Sequence, residues 1–173
     1  MNTTAFFEKL QELAESDSAL VATLRRSASY PPGLYPPAFP YIEPSLMELG
    51  EQRRATAYLV AGCWALAARR EKGAPLRLPL AVKALMVNHQ QGGKSLEARF
   101  TTLLDADPDE LPWRLRHLTS QLAAASIAVD WPSLLDDLWQ WGSEKRWVQT
   151  AWARLFWSAS ATKAKASVRA SRS

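Results

Sequence analysis

RRATAYLVAGCWALAARRE, residues 53–71, decides the class of fold. Ala55, Tyr58, Leu59, Gly62, Cys63 and Leu66 fall at i, i+3, i+4, i+7, i+8 and i+11, the spacing of one face of an α-helix. The weakly polar run inside it, residues 55–68, lies between Arg53-Arg54 and Arg69-Arg70. At fourteen residues it is shorter than the roughly 20 needed to span a bilayer, so it reads as a buried helix. KGAP, residues 72–75, ends it.

The same periodicity continues on both sides. Phe6, Phe7, Leu10 and Leu13 mark a first helix, and Leu20, Val21 and Leu24 a second, with Ser16 or Asp17 as its cap. Downstream, helices are expected over residues 80–89, 96–104 and 111–122. Asp130 caps the next, with Pro132 in its first turn, and Trp147, Val148, Trp152, Leu155 and Phe156 mark the last. YPPGLYPPAFPYIEP, residues 30–44, breaks the pattern with six of the eleven prolines. Proline has no amide hydrogen and restricts the residue before it, so neither a helix nor a central strand is expected there. Tyr30, Tyr35, Phe39 and Tyr41 point instead to an ordered, extended segment laid over the core. No alternating strand pattern of useful length and no internal repeat appear.

The fold class expected is all-α. A boundary falls at Gly92-Gly93, with seven of the eight tryptophans after it. Two small helical lobes follow: 1–91, including the proline-rich segment 30–44, and the Trp-rich 94–158, in which the tryptophans serve core packing. Residues 159–173 are small, polar and basic, and are expected to be a disordered tail.

Composition narrows the function. The chain has 173 residues, 47% hydrophobic and 22% charged, the balance of a globular protein with a real core. A single cysteine, Cys63, permits no internal disulfide, which fits a reducing compartment. The N-terminus lacks the basic start and apolar run of a signal peptide. A cytoplasmic protein without membrane attachment is expected. The net charge is +4, but four of the 21 basic residues, Lys163, Lys165, Arg169 and Arg172, lie in the tail, leaving 17 basic against 17 acidic. A nucleic-acid site would need an uneven placement of arginines.

Motifs for chemistry fail on spacing. GGKS at 92–95 lacks the glycine a phosphate-binding loop needs five residues before Gly93, where Asn88 stands. DADPDE at 105–110 starts like a calcium loop, but Glu110 and Arg116 occupy the places of its glycine and glutamate. It reads as a turn capping the next helix. His89 and His117 sit on different helices, and no zinc or nucleophile pattern is present. No catalytic residue, cofactor or metal is expected.

LPWRLRHLTSQL, residues 111–122, holds the first candidates. Leu111, Leu115, Leu118 and Leu122 form its apolar stripe. Arg114 falls on one flank near His117 and Gln121, and Arg116 nearly opposite it, with Trp113 three residues before and within stacking reach. Further basic residues stand at helix ends: Arg25-Arg26, Arg53-Arg54 and Lys145-Arg146, with Arg99 within the helix at 96–104. Basic residues at a helix start oppose the macrodipole, so Arg53-Arg54 and Lys145-Arg146 hint at another use. Arginine matches phosphate by bidentate hydrogen bonds, and scattered arginines suit tracking a nucleic-acid backbone without reading bases. The other reading is a protein scaffold whose arginines serve salt bridges.

Four segments, in order, carry a resemblance: LRRSASYPPGLYPPAFPYIEP, YLVAGCWAL, SLEARFTTLLDADPDELPWRLRHL and VDWPSLLDDLWQW. Over roughly residues 5–158 the chain resembles CasB, the small subunit of the type I-E CRISPR Cascade surveillance complex. The resemblance implies a non-catalytic, two-lobed helical subunit that pairs with itself within the complex and contacts its backbone and large subunits. It also implies a basic surface that holds the displaced non-target DNA strand and helps the crRNA–target heteroduplex persist, stabilising the R-loop. Carried onto the matching segments, the nucleic-acid-binding set is Arg25, Arg26, Arg53, Arg54, Arg99, Arg114, Arg116, Lys145 and Arg146.

Overall fold

The structure, a computed structural model, describes residues 1–88 and 92–170, with side chains through Ser158. Helices dominate. α1 (Thr3–Ser16) and α2 (Ser18–Ser27) are joined at Asp17, whose carboxylate accepts the Ala19 N–H at 2.8 Å and caps α2. Past the proline-rich segment, with its short α3 (Phe39–Ile42), α4 (Glu51–Ala67) runs through the centre. Then come α5 (Leu78–Asn88), α6 (Gly93–Leu104), α7 (Leu111–Ala124), α8 (Trp131–Trp139) and α9 (Trp147–Ala170). Asp130 caps α8 through the Ser133 N–H, with Pro132 in the first turn. α9 enters the segment read as a disordered tail; the side chains of 159–170 and all of 171–173 lie outside the described residues, as does His89.

α4 is the organising element, packed against α2, α7 and α8. Its burial exceeds the expected stripe. Residues 57–65 are buried without a break, the signature of a helix enclosed on all sides. Alanines at 57, 61, 65 and 67 let neighbours approach, and a Cβ on Gly62 would stand 3.4 Å from the Cβ of Ala28, the residue that follows α2. α4 ends in a tight turn in which the Arg70 N–H meets the Ala67 carbonyl at 2.9 Å and Arg69 takes φ +69°, a conformation that favours glycine. Arg69 offsets that cost by donating to the Ala14 carbonyl near the end of α1, at 3.1 Å.

Two features depart from the sequence reading. The proline-rich segment is ordered but not extended. It coils into single turns, 3₁₀ at Pro36–Ala38 and Glu43–Ser45 with α3 between. Each turn carries proline at its first or second position, where the missing amide hydrogen has no intrahelical partner to lose. A small sheet is also present: β1 (Lys72–Leu76) pairs in parallel with β2 (Ile127–Val129), Lys72 opposite Ile127 and Leu76 opposite Val129. Gly73 and Pro75 hide β1 from any alternation rule, and three residues are too few to show one in β2.

The buried side chains form one cluster from Phe6 to Phe156, on both sides of Gly92-Gly93. Its C-terminal part is aromatic. Phe100 stacks on Phe156 at 4.3 Å, and Trp152, fully buried, meets Trp141 edge-on at 5.1 Å. The Trp152 indole donates to Asp137 at 2.7 Å, which also takes Arg77 at 2.8 Å. Core packing therefore accounts for Trp64, Trp131, Trp141 and Trp152, but not for Trp113, 73% exposed. Among the described residues no helix is long and apolar enough to cross a membrane.

Candidate nucleic-acid interface

The nine basic candidates separate into three groups by what holds their charge. Arg54 and Arg114 are neutralised. Arg54 donates to Glu43, to the Leu49 carbonyl at 2.8 Å and to the Met47 carbonyl at 3.4 Å. Glu43 also accepts the Tyr58 hydroxyl at 2.8 Å, so the cluster fastens the proline-rich segment to α4. Arg114 forms a two-donor ion pair with Glu110 one helical turn before it, at 2.8 and 3.2 Å. Neither arginine is placed to meet a phosphate without first giving up a carboxylate.

A second group is anchored without being neutralised. Arg25 places two donors on the Ala65 carbonyl, at 3.2 and 3.3 Å, near the C-terminal end of α4, where positive charge complements the helix dipole. Arg116 donates to the Tyr30 carbonyl at 2.5 Å; among the described residues it engages no carboxylate and its Nε–H meets no acceptor. Burial holds its pKa below the usual arginine value. Arg53 lies over the Trp139 ring at 5.4 Å, and that indole donates to the Arg53 carbonyl. Among the described residues the arginine–tryptophan stack is this one, and not one between Arg116 and Trp113. Arg146 donates to the Leu104 carbonyl at 2.5 Å and, unlike the other three, also has a carboxylate partner, a loose ion pair with Asp105 at 4.0 Å. It belongs to the turn before α9 rather than to the helix, with φ +47°.

The third group, Arg26, Arg99 and Lys145, is exposed and makes no hydrogen bond or ion pair among the described residues. Arg26 follows Arg25 in the last turn of α2. Arg99 edges a separate hollow of about 540 Å³ between α6 and α7, with Leu96, Ser95 and Gln121. Lys145 sits in the turn before α9.

One place joins two of the candidates. A groove of about 400 Å³ between α2 and α7 is lined by Arg25, Ala28 and Ser29 on one side, Trp113, Arg116, His117 and Ser120 on the other, with Leu66 of α4 at its floor. The four α7 residues stand at i, i+3, i+4 and i+7, one helix face. The leucines of α7 are buried on the remaining face. His117 lines this groove with Arg116, and Gln121 lines the hollow with Arg99. Two guanidiniums line this groove and no carboxylate does. Their anchoring acceptors are main-chain carbonyls, which orient a cation without cancelling its charge. Sequence reasoning alone misses Trp113, His117 and Ser120 as groove residues; their spacing is visible in the chain, but the facing wall from α2 is not.

Comparison with known proteins agrees over most of the chain. The family model for CRISPR-associated protein Cse2 matches residues 20–157. A CRISPR-associated protein Cse2 from Thermus thermophilus is 40% identical over 148 residues, 84% of this chain and 82% of its own. Among solved structures, a Cse2-family protein from Thermus thermophilus superposes with a TM-score of 0.79 at 35% identity, over 90% of this chain and 97% of that one. A chain of a CRISPR RNA-guided surveillance complex shares the fold with a TM-score of 0.83 at 20% identity, over 96% and 97%.

Proposed function

The chain belongs to the CRISPR-associated Cse2 family, and we propose that it is a non-catalytic subunit of a crRNA-guided Cascade surveillance complex that holds nucleic-acid backbone. The observation that carries this reading is the groove between α2 and α7, where Arg25 and Arg116 keep their full charge on neutral anchors with no acid in the lining. Arginine so placed offers phosphate a bidentate partner. Arg26, Arg99 and Lys145, unpaired at the surface, extend the positive field beyond it.

The role follows from energetics. Exchanging a DNA duplex for a guide–target heteroduplex is close to balanced, so modest protein–backbone contacts decide whether the R-loop persists. A subunit that grips the displaced non-target strand, or steadies the heteroduplex, needs several weak, salt-sensitive contacts rather than one tight pocket. Its partners in this reading are the displaced single strand, the crRNA–target heteroduplex, the backbone and large subunits of Cascade, and a second copy of itself. The scaffold reading, in which arginines serve only protein contacts, is favoured by Arg54 and Arg114, both spent on carboxylates.

Binding of labelled single-stranded DNA of mixed sequence across a salt series separates the two. The measurement is made on the full chain and on a form ending at Ser158, so that the charge of the tail is counted apart. Weak binding that falls with salt is expected from both, and R25Q/R116Q is expected to flatten the salt slope by about 0.7 for each phosphate the variant no longer engages. R114Q, which only frees Glu110, is expected to change nothing. Equal binding by R25Q/R116Q and the unaltered protein would leave the scaffold.

A further inference from the structure

We infer that Trp113 is a stacking platform for an unpaired nucleobase, which makes the α2–α7 groove a site for single strands rather than duplex; this rests on the nucleic-acid reading above. Trp113 is 73% exposed, the most exposed aromatic side chain among the described residues. Six of the other seven tryptophans make contacts of their own, and Trp147, 47% exposed, is not among the groove's lining residues. Trp64, Trp131, Trp141 and Trp152 are buried, Trp139 lies under Arg53, and Trp157 donates to Glu97 at 3.0 Å. Trp113 has no ring partner and no hydrogen bond among the described residues, yet it stands on the groove face of α7, one turn from Arg116 and His117. Pro112 beside it, within the first turn of α7, stiffens the backbone that carries it.

The lining chooses the ligand. A protein partner inserting an apolar anchor would find carbon surface here, on Leu66, Ala28, the indole and the side-chain stems, but it would leave two guanidiniums without a counter-charge. The rest is two guanidiniums, an imidazole and the hydroxyls of Ser29 and Ser120. An aromatic face beside unneutralised arginines is the combination by which proteins hold single-stranded nucleic acid without reading its sequence: base on the ring, phosphate on the cation. In a duplex the base faces are already stacked on one another, so the ring has nothing to cover. The platform therefore makes the groove discriminate by strandedness and leaves it indifferent to base identity.

The test compares the full-length protein with W113A and W113F on three probes of equal length: an oligodeoxyadenylate, an abasic strand of the same phosphate count, and a duplex. The unaltered protein is expected to bind the base-bearing strand about thirtyfold more tightly than the abasic one, the mid-range worth of one stacked base. W113A is expected to bind both as the unaltered protein binds the abasic strand, with the same salt slope and an unchanged melting temperature, and W113F to recover most of the difference. If W113A binds the base-bearing strand undiminished while R25Q/R116Q still weakens it, the platform is wrong and the phosphate groove stands. If the unaltered protein binds neither strand, the groove reading falls and the platform with it.

Discussion

Glu71 lies between the end of α4 and the start of β1, and one of its oxygens holds two other elements. Oε1 accepts the Val129 N–H of β2 and the Trp131 indole N–H of α8, both at 3.0 Å. Burial pushes the carboxyl above the ordinary glutamate value of 4.5, and the two donors only partly offset it. The raised pKa means that the folded chain holds this proton more tightly than the unfolded one. The stability that Glu71 supports is thus complete below pH 4.5 and declines as pH rises through its folded pKa. Glu71→Gln keeps the acceptor and removes the ionisation. Its melting temperature is expected to track the unaltered protein below pH 4.5 and to gain on it as pH rises toward neutrality; the opposite trend would mean that the two donors outweigh burial. Asp17 has the reverse sign, because the Tyr41 hydroxyl and the Ala19 N–H hold its pKa down. The stability it supports is present above the ordinary value of 3.8 and is lost as pH falls through its lowered pKa. At this scale the sequence shows which basic residues to consider but not which are spent. The Arg114–Glu110 pair is legible as a one-turn spacing. The pairing of Arg54 with Glu43, eleven residues away across the coiled proline segment, is not.

α4 shows how one helix can be both well foreseen and underestimated. Its period is plain in the sequence, but periodicity reports the most apolar face. It says nothing of a second layer that covers the small residues opposite. Gly62 marks that layer. Its virtual Cβ stands 3.4 Å from Ala28 Cβ and 3.5 Å from both Ala28 Cα and Ser27 Oγ, ordinary contact distances. Glycine inside a helix costs roughly 0.5–1 kcal/mol relative to alanine, and nothing at these distances cancels that gain. Gly62→Ala is therefore expected to raise stability by about 0.5 kcal/mol in urea unfolding, whereas Gly62→Val, which must push α2 away, is expected to lower it by about 1–3 kcal/mol. A loss in Gly62→Ala would show that α2 and α4 already touch at their limit. The elements that sequence does not reveal are short ones whose stability is tertiary. β1 is five residues with Gly73 and Pro75 inside it, held by β2 and Glu71 rather than by propensity. The turns of the proline segment exist because Arg54 and Tyr58 fasten Glu43 from α4.

For the whole molecule, the question is whether the two halves seen in the sequence melt apart. Composition changes at Gly92-Gly93, but the core does not. α4 from the first half packs on α7 and α8 from the second, α1 also packs on α8, and β1 pairs with β2 across the same divide. Thr3 at the start of the chain donates to Asp136, and Arg77 to Asp137. Either half alone would leave α4 with an exposed apolar face, an unfavourable product that couples the two. One cooperative transition is therefore expected. Two substitutions test it from opposite ends of the core: Leu20→Ala on α2 and Phe100→Ala on α6, both fully buried. Costs of about 2–5 kcal/mol for the leucine and about 3–5 kcal/mol for the phenylalanine follow from the apolar burial removed and the cavities left behind. In a calorimetric melt each is expected to lower the single transition as a whole, with the calorimetric and van't Hoff enthalpies in agreement. A trace in which Phe100→Ala moves only one of two peaks would make the halves independent lobes. It would also make the α2–α7 groove, whose walls come from both sides of the divide, adjustable by their relative motion instead of fixed by a shared core.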